Sequence, residues 1–72
     1  MNTKQSDLYD GAEFGLGTIV YTNKERRLFV MRYHNGMYQA MRYYLVCDEV
    51  IPNNATGICR TLEDALSMAE TI

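Results

Sequence analysis

The dipeptide Asn35-Gly36 constrains the fold of this chain more than any other feature. It lies within the segment MRYHNGMYQAMRYY, which runs from Met31 to Tyr44. Asn-Gly favours the left-handed backbone of a two-residue type I′ turn, and strand-favouring residues flank it on both sides. The segment therefore predicts an antiparallel hairpin in which Tyr33 lies opposite Tyr38.

In this register, apolar and aromatic side chains occupy both faces of the hairpin, because side chains alternate along each strand. One predicted face carries Arg27, Phe29, Met31, Tyr33, Tyr38, Ala40, Arg42, Tyr44 and Val46. The other carries Leu28, Val30, Arg32, His34, Met37, Gln39, Met41, Tyr43 and Leu45. Neither set is typical of a surface exposed to water. One short helix covers only one face of a sheet, so the second face is expected to need a partner.

The remaining patterns predict an α+β fold, a three- to four-stranded antiparallel β-meander with one C-terminal α-helix packed on one face. The run TIVYT, at 18–22, has strand composition. Ile58 and Cys59 supply a short fourth strand. Residues 48–57 are expected to form a loop, because Pro52 lacks a main-chain donor for a sheet.

The C-terminal segment gives the clearest helix signal. Thr61 is placed to cap the helix, with Asp64 three residues later. A single apolar stripe follows, formed by Leu62, Ala65, Leu66, Ala69 and Ile72. Residues 18–72 are therefore predicted to form one small sheet-plus-helix domain. Residues 1–17 contain three glycines and no sustained period, which predicts a flexible N-terminal arm whose apolar side chains can dock on the uncovered sheet face.

Composition narrows the class of protein. Hydrophobic residues make up 47% of the chain and the formal net charge is −2, which is typical of a folded domain. No run approaches the roughly 18 apolar residues of a membrane span, and the polar start is unlike a secretory signal. We therefore expect a cytoplasmic protein with no membrane partner, in which Cys47 and Cys59 stay reduced.

Catalytic and metal-binding patterns are weak. His34 is the only imidazole, and an extended strand would separate it from Cys47 by about 33 Å. A pair of His34 with Cys59 is possible by distance, but no feature of the sequence favours it. Two cysteines and one histidine at these spacings do not match a zinc site. We predict no catalytic residue, no metal, no cofactor and no enzyme activity.

Binding is the remaining interpretation, because Tyr and Met are well suited to interfaces. The leading hypothesis is a small non-catalytic protein-binding module: a homodimer, or an inhibitor or adaptor of the kind that phages and mobile elements encode. The predicted partner-binding residues are Arg27, Phe29, Met31, Tyr33, Tyr38, Arg42 and Tyr44. The alternative is nucleic-acid binding through the sheet, with contacts from Lys24, Arg26, Arg27, Arg32 and Arg42. The sequence is equally compatible with a second arrangement, in which the aromatic face is buried in the core and the opposite face is exposed to water.

Overall fold

The computed structural model describes residues 3 to 72, and within them a five-stranded antiparallel sheet packs against one α-helix. The strands are β1 (Glu13–Phe14), β2 (Gly17–Asn23), β3 (Leu28–Tyr33), β4 (Tyr38–Val46) and β5 (Glu49–Ala55), and the helix is α1 (Leu62–Ala69). A single 3₁₀ turn at Gln5–Asp7 precedes them. Spatial order follows chain order. The α+β meander is confirmed, but the predicted count of three to four strands is too low.

The hairpin between β3 and β4 reverses at Asn35-Gly36 as predicted, yet its register is one residue away from the predicted one. Tyr33 N–H donates to Met37 O at 2.8 Å, which leaves a three-residue loop. Within that loop only Gly36 has a positive φ, of 83°. Asn35 Oδ1 accepts from Met37 N–H at 3.0 Å. These features indicate a type I turn followed by a glycine bulge, in which Gly36 supplies the left-handed residue.

The shift moves every β4 side chain to the face opposite the predicted one, because side chains alternate. Phe29 lies opposite Met41, not Arg42, and Val30 lies opposite Ala40. The predicted single face of partner-binding residues is therefore wrong. Phe29, Met31 and Tyr33 lie on one side of the sheet, and Tyr38, Arg42 and Tyr44 lie on the other.

The segment predicted as a loop after β4 is mostly strand, since Glu49–Ala55 forms β5 at the edge of the sheet. Val50 N–H points away from β4 and donates to Thr3 O at 2.7 Å. Pro52 comes two residues later, so its nitrogen lies on the same outer side, where no bond to β4 is lost. The predicted strand at Ile58 and Cys59 reduces to one bridge, between Cys59 and Tyr38.

Residues 3 to 14, which we term the N-terminal strap, cross one face of the sheet from β5 to β2. At the β2 edge, Ile19 N–H donates to Ala12 O at 2.8 Å. Between the two edges, the Leu8 side chain is 1% exposed and packs on the sheet. We call the covered side the strap face and the other the helix face. Residues 1 and 2 of the predicted flexible arm lie outside the described residues, and the arm's flexibility stays a prediction.

The start of α1 agrees with the sequence pattern. Thr61 Oγ1 accepts a hydrogen bond from Asp64 N–H at 3.1 Å. Small buried side chains separate the helix from the sheet, namely Ala40, Ala65 and Ala69. They allow α1 to lie close to β3 and β4 and to cover the middle of the helix face.

Candidate functional site

The strap face buries part of the predicted partner-binding set. Phe29 is 0% exposed and Met31 is 2% exposed. The ring of Phe14, from the strap, meets Phe29 edge-on with centroids 5.0 Å apart. Tyr33 is half-buried, and its hydroxyl donates to Gln39 Oε1. A partner reaches Phe29 and Met31 only if the strap leaves the sheet.

Arg27, another predicted partner-binding residue, fastens the strap. Arg27 Nη1 and the hydroxyl of Tyr43 both donate to Gln5 Oε1, each at 3.0 Å. Burial raises the pKa of the Tyr43 hydroxyl above its usual value, and the charge of Arg27 opposes that rise. The hydroxyl therefore stays protonated at neutral pH and keeps its role as a donor.

The other three predicted residues lie on the helix face, in different environments. Arg42 donates from Nη1 to Ile72 O at 2.8 Å and from Nη2 to Arg26 O at 3.0 Å, so it fixes the segment that follows α1. Tyr38 is half-buried and packs against the core beneath α1. Tyr44 is exposed. The seven residues therefore do not form one surface.

Of the five basic residues of the nucleic-acid alternative, Lys24, Arg26 and Arg27 share the turn before β3, and Arg42 donates to Arg26 O at 3.0 Å. Arg27 contacts the strap, whereas Arg26 pairs with Glu70 at 3.4 Å near the end of α1. Arg32 lies near the β3–β4 loop, and Lys24 lies in the turn before β3. Nucleic-acid backbones are bound by a continuous basic surface. Here Glu70 pairs with Arg26, and Arg32 lies near the other end of β3 from this turn.

A different surface stands out beside α1, an open groove of about 410 Å³. It is lined by Ile58, Cys59, Arg60, Asp64, Ser67 and Met68. Ile58 is 54% exposed and Met68 is 45% exposed, although both are apolar. Asp64 and Met68 are four residues apart and share one side of the helix. The groove thus combines two exposed apolar side chains with one positive and one negative charge.

The helix face also extends beyond α1. The eight residues of α1 span about 12 Å, whereas the nine residues of β4 span about 30 Å, so the helix is too short to cover β4 to its end. There Tyr44 is 48% exposed and Val46 is 50% exposed. Ile51 of β5 lies directly opposite Tyr44, so the three side chains form one apolar patch.

Sequence reasoning missed the groove because it treated the residues on its rim as structural. Ile58 was assigned to a strand, and the apolar stripe of α1 left out Met68. An apolar side chain outside the stripe of an amphipathic helix is exposed when the stripe packs on the core. Met68 was therefore the available signal.

The three residues considered for catalytic and metal chemistry lie in different surroundings. His34 and Cys47 are exposed and Cys59 is buried. In residues 3 to 72, no three or more His, Cys, Asp or Glu side chains come together as a possible metal site. Over the same range, no helix has the length and apolarity that crossing a bilayer requires. Comparison of the chain with family models, with curated proteins and with solved structures returned no match.

Proposed function

We propose that this chain is a small non-catalytic protein-binding module and that its contact surface is the groove beside α1. The observation that carries the proposal is the exposure of Ile58 and Met68 on the rim of that groove. The large apolar side chains of β3, by contrast, are buried. Such a module acts as a homodimer, as an inhibitor of another protein or as an adaptor between proteins.

Burial energetics support a partner at the groove. Complete burial of a Met or Ile side chain contributes about 1.5–3 kcal/mol of free energy. Covering the exposed half of Ile58 and of Met68 therefore contributes about 1 kcal/mol for each side chain. Aromatic and Met side chains are enriched in protein interfaces.

The shape of the groove favours a macromolecule over a small ligand. Small-molecule pockets enclose most of the surface of their ligand. Here Ile58, Arg60 and Met68 are all exposed, so a small molecule would stay largely in water. A protein surface covers such a groove and its rim together.

Site-specific photocrosslinking tests the proposal. A photoreactive phenylalanine analogue replaces Met68, and illumination follows in a lysate of the source cells. We expect a discrete protein adduct from this position, whether the captured protein is another chain or a second copy.

Leu16 is the matched control. It is 76% exposed in the turn between β1 and β2, at the opposite edge of the sheet from Ile58. The same analogue at Leu16 is expected to give no discrete adduct. Equal labelling from the two positions, or none from Met68, contradicts a binding role for the groove.

We further propose that this function is exercised in the cytoplasm. Cys47 is exposed and carries a free thiol, and Cys59 is buried without a disulfide. Exposed unpaired thiols suit a reducing compartment. Alkylation of Cys47 by a membrane-impermeant maleimide only after cell lysis is the expected result, and labelling of intact cells would contradict it.

A further inference from the structure

We infer that the occupant of the groove is the same groove of a second copy of this chain, related to the first by a two-fold axis. This inference rests on the proposed function and names its partner. It is carried by the chemistry of four side chains that line the groove: Ile58, Arg60, Asp64 and Met68.

The two charges in the groove are the first step. Arg60 and Asp64 are both exposed. Among residues 3 to 72, the one salt bridge found joins Arg26 to Glu70. Arg60 and Asp64 therefore form no ion pair with each other or with another of these residues. Both charges are therefore available to a partner.

Symmetry turns this pair into a self-complementary pattern. In a two-fold interface, if residue i contacts residue j of the second copy, then j contacts i. Arg60 meets Asp64 of the second copy and Asp64 meets its Arg60, which satisfies both charges at once. Ile58 and Met68 cover each other's exposed surface in the same way.

Partners of strong charge fit the groove less well. An acidic partner would attract Arg60 and repel Asp64, and a basic partner would do the reverse. Like charges brought together at an interface cost several kcal/mol. A second copy avoids that cost because it supplies one charge of each sign in matching positions.

The dimer is expected to be weak. A stable interface buries about 800 Å² on each partner, and the six residues of the groove offer less than that. We therefore expect association in the micromolar to millimolar range rather than a permanent dimer.

Charge reversal with mixing tests the inference by sedimentation equilibrium over that range. Arg60→Asp places two acidic residues against each other, and Asp64→Arg places two basic residues together. We expect each variant alone to dimerise about tenfold more weakly than wild type, or worse. An equimolar mixture of the two variants pairs opposite charges at both contacts and is expected to regain the wild-type dimer fraction.

Two variants serve as matched controls. Glu63→Arg makes the same charge reversal in the first turn of α1 but outside the groove, and Lys24→Asp makes it in the turn before β3. Both are expected to dimerise like wild type. Circular dichroism and thermal unfolding show that each variant is folded before its mass is compared.

The outcomes separate this inference from the proposed function. A wild-type chain that stays monomeric at every concentration overturns the dimer, as does an unchanged dimer in Arg60→Asp. If Met68 then crosslinks a different protein, the binding function stands and only the partner is wrong. If Met68 yields no adduct and no dimer forms, both fail.

Discussion

At the scale of single residues, one side-chain oxygen joins the strap to the sheet. Gln5 Oε1 accepts from Arg27 on one side and from Tyr43 on the other. Tyr43 also lies in the core, with its ring centroid 5.9 Å from that of Phe29. The same residue thus contributes apolar contact and a hydrogen bond to the strap, and the two contributions are separable.

Removing the Tyr43 hydroxyl tests the second contribution. Tyr43→Phe keeps the ring and deletes one donor, so we expect the free energy of unfolding to fall by about 1 kcal/mol. Tyr44→Phe deletes the hydroxyl of an exposed neighbour and is expected to change it by less than about 0.5 kcal/mol. Urea denaturation measures both, and equal losses would mean that the bond to Gln5 contributes nothing.

The raised pKa of Tyr43 predicts sensitivity to alkali. In the unfolded chain this hydroxyl ionises near pH 10.0, whereas burial keeps it protonated to higher pH in the folded chain. Its contribution to stability is therefore complete below pH 10.0 and is lost as the pH rises from there through the folded pKa. We expect wild type to lose more stability than Tyr43→Phe across this window. If urea denaturation shows that the free energies of unfolding of the two proteins fall equally with pH, the pKa of Tyr43 is not raised in the folded chain.

At the scale of elements, local signals predicted where chains turn and helices begin, but tertiary packing decided the register. Asn35-Gly36 marked the hairpin, and Thr61 marked the start of α1. Asn-Gly occurs both in a two-residue type I′ turn and in a three-residue loop with a glycine bulge. The loop type sets the register of β4, and the register decides whether Ala40 or Met41 faces the helix. The small side chain of Ala40 fits beneath α1. Sequence periodicity along one strand does not contain that information.

The sequence did not predict β5, because that prediction also depends on tertiary structure. Proline is excluded from a central strand and tolerated at an edge, and the sequence does not state which strand is an edge. The groove beside α1 was hidden in the same way, since it forms only when the segment around Ile58 meets the helix. Tyr44 belongs to the predicted partner-binding set, and its side chain is exposed.

Substitution of Gly36 tests the loop type. Gly36→Ala puts a side chain at a φ of 83°, and the added Cβ would meet only Arg32 Nη2, at 3.9 Å. The cost is therefore backbone strain, about 1–2 kcal/mol of stability in urea denaturation. Gly57→Ala adds a Cβ in open space at a residue without a positive φ, so it should change stability by no more than about 0.5 kcal/mol. An equally small effect at Gly36 would contradict the glycine bulge.

At the scale of the whole molecule, the strap is the element that allows so short a chain to cover both faces of its sheet. It pairs with β5 at one edge and with β2 at the other. The strand residues paired in this way, Glu49 and Val50 of β5 and 17–19 of β2, are unavailable for pairing with another chain. The strap thus covers the sheet face that α1 leaves open, and the surface that we propose for partners is the groove beside α1.

Leu8 provides the test of this arrangement, because it is 1% exposed at the centre of the strap. If the strap unfolds together with the sheet, Leu8→Ala leaves a cavity in the core and lowers the free energy of unfolding by about 2–5 kcal/mol. Tyr9→Ala, at a neighbour that is 59% exposed, should lower it by no more than about 0.5 kcal/mol.

Amide hydrogen exchange then separates a fixed strap from a flexible arm. The amide hydrogen of Val50 bonds to Thr3 O and that of Ile19 bonds to Ala12 O, so both report on the strap. A strap that belongs to the cooperative fold gives these two amides protection close to that of the β3–β4 ladder, and Leu8→Ala reduces it. Fast exchange at both in wild type, with no loss of stability in Leu8→Ala, would mean that residues 3 to 14 leave the sheet freely. Phe29 and Met31 would then be accessible to partners after all.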